Sequence, residues 1–63
     1  MDRTLAEWRR VKKISQEKMA QMLGVHVNTY AAWEKNKARM PVDKAFAAAK
    51  VLEVNIDSII FDA

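Results

Sequence analysis

Apolar residues recur along this 63-residue chain at helical spacing, and no segment alternates apolar and polar residues long enough to predict a strand. Leu5 and Trp8, followed by Val11 or Lys12, lie three to four positions apart, which predicts a first helix over residues 3–13. The hydrophobic pattern therefore favours an all-α fold.

Two further helices are predicted on either side of Gly24, the single glycine of the chain. The second spans about residues 16–23 and ends where Gly24 can adopt the left-handed conformation. The third spans about residues 27–35, and Asn36 follows it as the next-best residue for a left-handed exit. The predicted N-caps of the two helices are Ser15 and His26. The inner side of the second helix is predicted to carry Met19, Ala20 and Leu23.

The last third of the chain predicts two more helices. Because proline is tolerated in a first helical turn, the fourth helix is expected to run from about Pro41 to Leu52. Asn55 is expected to cap a short fifth helix. The predicted core-facing residues of the fourth helix are Val42, Ala45, Phe46, Ala49 and Leu52, and the fifth helix is predicted to contain Ile56, Ile59 and Ile60. The prediction is one domain, residues 1–63, folded as a compact bundle of five short helices.

The third predicted helix has two dissimilar faces when successive residues are placed about 100° apart. Tyr30, Trp33 and Glu34 cluster on one face, whereas the opposite face carries only Asn28, Ala31, Ala32 and Lys35. A helix that enters the major groove of DNA needs a bulky face for its scaffold and a slim face for the base edges. Asparagine can pair with adenine N6 and N7, and alanine or valine can contact a thymine methyl group. The helix-break-helix unit therefore predicts a helix-turn-helix with a recognition helix.

The distribution of charge supports a nucleic-acid partner. The net charge is +3, but residues 1–39 carry nine lysines and arginines against four acidic residues, whereas residues 40–63 carry two against four. The basic character is thus confined to the part of the chain that contains the predicted helix-turn-helix. A solvated surface with no partner does not require this asymmetry.

Composition argues against several other classes of protein. Cysteine is absent, so no disulfide or thiolate metal site is possible, and His26, the one histidine, cannot form a metal site alone. One histidine, two serines and no glycine-rich phosphate loop leave little for catalysis, so we expect neither an enzyme nor a cofactor. No apolar run approaches the roughly 20 residues of a membrane span, and no signal-peptide pattern is present. A cytoplasmic protein of a bacterial or phage-infected cell is expected.

Residues 14–37, ISQEKMAQMLGVHVNTYAAWEKNK, resemble the helix-turn-helix of the phage-repressor and Cro-type DNA-binding domains. In that family a Thr/Ser-Gln-Glu start to the second helix precedes an alanine, a Leu-Gly-Val turn and a helix that ends in Trp-Glu-Asn-Gly-Lys. The resemblance runs from Leu5 to Ile60 and includes VLEVNIDSII, which is similar to the closing helices of the family. It implies a lambda-repressor-like fold that binds a double-stranded DNA operator.

The resemblance also implies roles for individual residues. Gln16 matches a glutamine that contacts a phosphate and braces the recognition helix, and Arg9 and Glu34 match a structural ion pair between the first helix and the end of the third. Candidates for base readout are Val27, Asn28, Ala31 and Ala32, with Asn28 as the main one, although Asn28 alternatively caps its own helix. Candidates for phosphate contact are Gln16, His26, Thr29, Lys35, Asn36, Lys37, Arg39 and Arg10, with a capping role as the alternative for His26.

Three departures from the family pattern bear on these expectations. Asn36 stands where the family has a glycine after the recognition helix, and Glu53 where it has a glycine before the last helix. The outward positions Val27, Ala31 and Ala32 are poor in hydrogen-bond donors. Specificity is therefore expected to depend more on thymine methyl groups, DNA shape and phosphate contacts than on hydrogen bonds from the protein to base edges.

The main functional hypothesis is a sequence-specific transcription regulator of the phage or prophage repressor type, bound to its operator as a homodimer. Ile60 or Phe61 is expected either to close the monomer core or to form the two-fold interface. The alternative is a protein-interaction module on the same scaffold, such as an antitoxin or anti-repressor-binding domain, with a regulatory protein as its partner. The slim outer face of the third helix and the apolar C-terminal residues favour this alternative.

Overall fold

The computed structural model describes residues 2–61 of the chain. The elements in order are strand β1 (Arg3–Thr4), helices α1 (Leu5–Val11), α2 (Gln16–Leu23), α3 (Val27–Glu34) and α4 (Val42–Leu52), a 3₁₀ helix (Ile56–Ser58), and strand β2 (Ile59–Ile60). Among the described residues, none of the helices has the length and apolarity that a membrane crossing requires.

The first helix begins two residues later than predicted because Thr4 caps it. The Glu7 amide donates to Thr4 Oγ1 (3.2 Å) and the Thr4 amide donates to Glu7 Oε1 (2.9 Å), which forms a complete capping box. The helix ends at Val11, and Lys13 has a φ of 59° that turns the chain away. Val11 is 50% exposed and lies outside the core.

The predicted start and end of α2 and the start of α3 are confirmed. Ser15 Oγ accepts from the Lys18 amide (3.0 Å) at the start of α2, and Gly24 ends that helix in the left-handed conformation, with a φ of 72°. His26 Nδ1 accepts from the Asn28 amide (3.0 Å) and caps α3. Asn36, with a φ of 58°, takes the left-handed conformation after that helix as predicted.

The predicted inner face of α4 is partly wrong. Val42 is 72% exposed and Phe46 is 57% exposed, so neither enters the core. The buried residues are Ala45, Ala48, Ala49 and Leu52. They already form a complete stripe at positions i, i+3, i+4 and i+7, and Val42 and Phe46 lie beside that stripe.

The end of the described chain also differs from the prediction. Asn55 Oδ1 caps the turn by accepting from the Asp57 amide (3.2 Å), but that turn is a 3₁₀ helix of three residues and not a fifth α-helix. Ile59 and Ile60 then pair in parallel with Arg3 and Thr4, in the register Arg3–Ile59 and Thr4–Ile60. A two-residue strand is too short to produce a visible alternation, so the hydrophobic pattern missed it.

The core lies where α2, α3 and α4 meet, and α1 and β2 close it. Met19, Tyr30 and Leu52 are its largest fully buried side chains. Ala20 is 2% exposed at the contact between α2 and α3, where a larger side chain would separate the two helices. The fold is thus mostly helical, as predicted, with four α-helices and a small parallel sheet among the described residues.

Candidate nucleic-acid interface

The turn between α2 and α3 fixes the angle at which α3 leaves the scaffold. Gly24 N–H donates to the Gln21 carbonyl (3.2 Å) and Val25 N–H donates to the Ala20 carbonyl (3.0 Å), so two carbonyl groups at the end of α2 are satisfied. A Cβ atom on Gly24 would meet no atom within 4 Å. Glycine is therefore favoured here by its backbone conformation and not by lack of space.

Helix α3 is fastened to the core by two aromatic side chains on one face. Tyr30 is fully buried and Trp33 is 8% exposed, and their rings form an edge-to-face pair with centroids 6.3 Å apart. On the other sides of the helix, Asn28 and Thr29 are exposed, whereas the remaining predicted readout residues, Val27, Ala31 and Ala32, are partly buried. Asn28 is thus the most accessible of the four predicted readout residues.

Most of the predicted phosphate-contact residues lie close to the ends of α3. His26 is exposed at the N-cap position, where its Nδ1 atom accepts a hydrogen bond and leaves Nε2 facing away from the cap. Beyond the C-terminus, the loop is held by the Lys37 amide, which donates to the Ala32 carbonyl (2.9 Å). The predicted contact residues of this loop, Lys35, Asn36, Lys37 and Arg39, are all exposed. Arg10 is exposed on α1.

Arg9, Gln16 and Glu34 form a network that joins three helices. Arg9 Nε lies 2.6 Å from Glu34 Oε2, and Gln16 Nε2 donates to Glu34 Oε1 (2.9 Å). Arg9 Nη1 also donates to the Ile14 carbonyl (2.8 Å). The side chains of Arg9 and Glu34 are only 12% and 4% exposed. We name these three residues the brace, because α1 and the first residue of α2 hold the last residue of α3 through them.

Burial and hydrogen bonding act in opposite directions on Glu34. Burial disfavours its charged form, but the hydrogen bonds from Arg9 and Gln16 outweigh burial and hold the pKa of Glu34 below its ordinary value. The hydrogen bond to Glu34 in turn raises the pKa of Arg9. Burial raises the pKa of Tyr30, whose hydroxyl lies in this region without a hydrogen bond of ordinary geometry. Arg9 and Glu34 of the brace therefore form a charged pair at neutral pH.

The structure contains supporting contacts that sequence reasoning missed. Lys44 Nζ donates to the Leu23 carbonyl (2.9 Å), so a side chain of α4 satisfies an acceptor at the end of α2, beside the turn. Arg3 lies 5.1 Å from the ring centre of Trp8, and Trp8 Nε1 donates to the Ser58 carbonyl (2.7 Å). No sequence signal marks Lys44 as different from other lysines, since its role depends on how α2 and α4 pack.

The remaining predicted site residues lie at the end of the described chain. Ile60, in β2, and Phe61 are 44% and 43% exposed. In the part of the chain that the structure describes, no three His, Cys, Asp or Glu side chains are grouped so as to hold a metal ion. The chemical groups collected around α3 are therefore amides, a hydroxyl, an imidazole and cations, which suit an anionic polymer with hydrogen-bonding bases.

Comparison with known proteins agrees with this geometry. A family model described as helix-turn-helix matches residues 5–59. An uncharacterized HTH-type transcriptional regulator, YobD, of Bacillus subtilis (strain 168) is 27% identical over 56 residues, which cover 89% of this chain. The chain spans about half the length of that curated relative. The match over most of the sequence, with the turn and brace described above, shows that the chain belongs to the Cro/C1-type helix-turn-helix family of DNA-binding regulatory domains.

Proposed function

We propose that this chain is a sequence-specific double-stranded DNA-binding transcription regulator of the phage or prophage repressor type. The observation that carries the proposal is the arrangement of α3. Tyr30 and Trp33 bury one face, Asn28 and Thr29 are exposed, and the basic loop that begins at Lys35 follows directly. The major groove of B-DNA, about 12 Å wide, admits a helix of this kind.

The proposed mechanism is occupancy of an operator. Phosphate contacts from His26 and the loop Lys35–Arg39 supply affinity, and they orient α3 in the groove. Asn28 supplies the main base contact, and the small side chains of Ala31 and Ala32 permit close approach. Gln16 is also proposed to contact a phosphate, because it lies at the start of α2, where a helix N-terminus favours an anion. Its side-chain amide donates to Glu34, which fixes its position. Bound protein then blocks or recruits polymerase.

A homodimer on the operator is part of the proposal. A two-fold axis would place two copies of α3 about 34 Å apart, on successive turns of the major groove. The exposure of Ile60 and Phe61 supports their use at such an interface, because isolated domains rarely leave adjacent large apolar side chains in water. A selection from random duplexes followed by a footprint tests this directly, because a dimer selects a site with two-fold symmetry.

Replacing Asn28 with alanine should relax the preference at one base position, at a cost of about 1–3 kcal/mol for the preferred base. The variant keeps the His26 cap, since the cap uses the Asn28 backbone amide and not the side chain. Binding to every single-base variant of the selected operator would be compared between the two proteins. An unchanged profile across all positions would show that Asn28 does not contact a base edge.

Replacing Lys37 with alanine should weaken binding to all sequences about equally and reduce the slope of log K against log salt by about 1. The reason is that a phosphate contact releases counterions without reporting on sequence. Lys50→Ala is the matched control, because Lys50 is an exposed lysine on α4, outside the loop. A changed sequence preference in the Lys37 variant, or an equal loss in the Lys50 variant, would contradict this role.

A protein-interaction module is the second candidate, favoured by the exposed apolar pair Ile60 and Phe61 and by the few donors on α3. Retention of the chain on random duplex DNA at low salt, measured beside capture of a candidate protein partner, separates the two functions. The proposed regulator is retained and is released as salt is raised severalfold. Absence of retention would reject it in favour of the interaction module.

A further inference from the structure

A surface groove of about 400 Å³ lies between the β-sheet and the loop that follows α3. Thr4, Leu5, Ile60 and Phe61 line it from the sheet region, residues 36–40 line it from the loop, and Trp33 and Glu34 contribute from the end of α3. Small-molecule sites in proteins are concave, mostly apolar, and about 300–1,000 Å³ in volume. The groove falls at the lower end of this range.

The apolar part of the groove is accessible to a ligand. Leu5, Trp33 and Met40 line it together with Ile60 and Phe61, and the last two are 44% and 43% exposed. An apolar molecule that covered Ile60 and Phe61 would remove their surface from water, which is favourable by about 25 cal/mol per Å². The groove thus offers a hydrophobic driving force for a small ligand.

The charges along the groove specify the other end of the ligand. Lys37 and Arg39 both line it, and neither forms an ion pair within the described residues. Glu34, the one acidic lining residue, is already engaged by Arg9 and Gln16 in the brace. Within the described residues, the groove therefore presents an apolar surface beside two cations whose charge no lining carboxylate neutralises, an arrangement that suits a molecule with an apolar body and an anionic head.

We propose that this groove binds small amphipathic carboxylates, and that the bound molecule competes with DNA. The apolar body lies against Ile60 and Phe61, and the carboxylate pairs with Lys37 or Arg39. Competition follows because the same two cations are proposed to contact DNA phosphates, and because Ile60 and Phe61 are proposed for the two-fold interface of the DNA-bound dimer, which the ligand would occupy. This second half therefore rests on the proposed function. Such a ligand would act as an inducer that releases the protein from its operator.

The binding half is tested without DNA by titrating the protein with 2-naphthoate and following backbone amide chemical shifts. Saturable shifts should be confined to residues 36–40 and 60–61 and their neighbours, with a dissociation constant on the order of 1 mM or below. Neutral 2-naphthalenemethanol should bind about two- to fivefold more weakly and acetate should not saturate, since each lacks one of the two features.

Charge variants test the assignment of the head group. Replacing both Lys37 and Arg39 with glutamine should weaken 2-naphthoate binding about two- to fivefold, as expected for exposed ion pairs, whereas Lys50→Gln, on an exposed lysine outside the groove, should leave binding unchanged. Equal binding of the neutral analogue, or shifts centred elsewhere, overturns the proposal. Self-association of the chain that closes the groove and prevents probe binding also overturns it.

The competition half is tested by adding 2-naphthoate to the protein bound to its selected operator. The DNA affinity should fall severalfold at saturating probe, and neither acetate nor 2-naphthalenemethanol at the same concentration should match that loss. Operator binding that is insensitive to a probe already shown to occupy the groove overturns the competition. If the protein binds the probe but no DNA, the proposed function fails while the groove assignment stands, so the two failures are distinguishable.

Discussion

Replacing Glu34 with glutamine is expected to lower the free energy of unfolding by about 3 kcal/mol. This value is at the low end of the range for a broken buried ion pair, because the Arg9 side chain remains 12% exposed. The substitution leaves the Arg9 charge without its partner. A domain of this length has a total stability of only about 3–9 kcal/mol, so the variant is expected to be close to unfolding. Urea denaturation followed by tryptophan fluorescence measures the change.

Two further variants distinguish a loss of stability caused by the unpaired Arg9 charge from a loss caused by any change of side chain in this region. Tyr30→Phe removes a buried hydroxyl that makes no hydrogen bond of ordinary geometry, so it should be neutral or slightly stabilising. Arg9→Met combined with Glu34→Leu should recover much of the loss, because no charge is then left buried alone. If Tyr30→Phe costs as much as Glu34→Gln, or the double variant is no better than the single, the loss does not arise from the unpaired charge.

The acid dependence of stability provides another measure of the brace. The folded-state pKa of Glu34 is lowered, so the stabilisation is complete above the ordinary glutamate pKa of 4.5 and is lost as the pH falls through the lower folded value. The Glu34→Gln variant lacks this group. Its stability should therefore depend less on pH below about 4.5 than that of the parent chain, which is checked by repeating the urea titrations across this pH range.

The two ends of α2 and the start of α3 could be predicted from sequence, because the hydrogen bonds and backbone conformations that set these boundaries are local. Ser15 and His26 each satisfy an amide two or three residues away, and Gly24 and Asn36 tolerate the left-handed conformation better than other residues. Glu53 also adopts that conformation, with a φ of 59°, where the family pattern has glycine. The Glu53 amide donates to the Lys50 carbonyl and the Val54 amide to the Ala49 carbonyl, so the helix-ending turn forms here without a glycine.

The errors concern features set by contacts between distant parts of the chain. The face of α4 was placed on Val42 and Phe46 because large apolar residues usually mark a core, whereas here alanines pack against the other helices. The parallel pairing of Thr4 with Ile60 joins the two ends of the domain, and two-residue strands carry no periodic signal. Neither feature has a local cause that a hydrophobic pattern would detect.

The candidate site likewise contains some features that could be predicted from the sequence and others that depend on contacts between distant elements. The exposed Asn28 and the basic loop after α3 follow from helix geometry, and the contact between Arg9 and Glu34 was expected only from family resemblance. The bond from Lys44 to the Leu23 carbonyl and the groove beside Phe61 were not expected at all. Both arise where elements that are distant in sequence meet, so their residues have no distinguishing pattern in the chain.

Replacing Trp33 with alanine is expected to destabilise the domain by about 3–5 kcal/mol and to abolish DNA binding at ambient temperature. Trp33 is 8% exposed, packs edge-to-face on Tyr30, and lies next to Glu34 of the brace. Its removal leaves a cavity under the C-terminal end of α3. A loss of this size equals most of the stability expected for 63 residues, so α3 would no longer be held in its orientation.

Phe46→Ala is the matched control, because it also truncates an aromatic side chain but at a position that is 57% exposed. It should change the free energy of unfolding by no more than about 0.5–1 kcal/mol and leave DNA affinity intact. Thermal unfolding and operator binding would be measured on both variants. A hydrophobicity argument from sequence assigns both residues to the core, whereas the structure assigns only Trp33. Equal losses in the two variants would therefore mean that Phe46 is buried in solution and that α4 packs as the sequence pattern predicted.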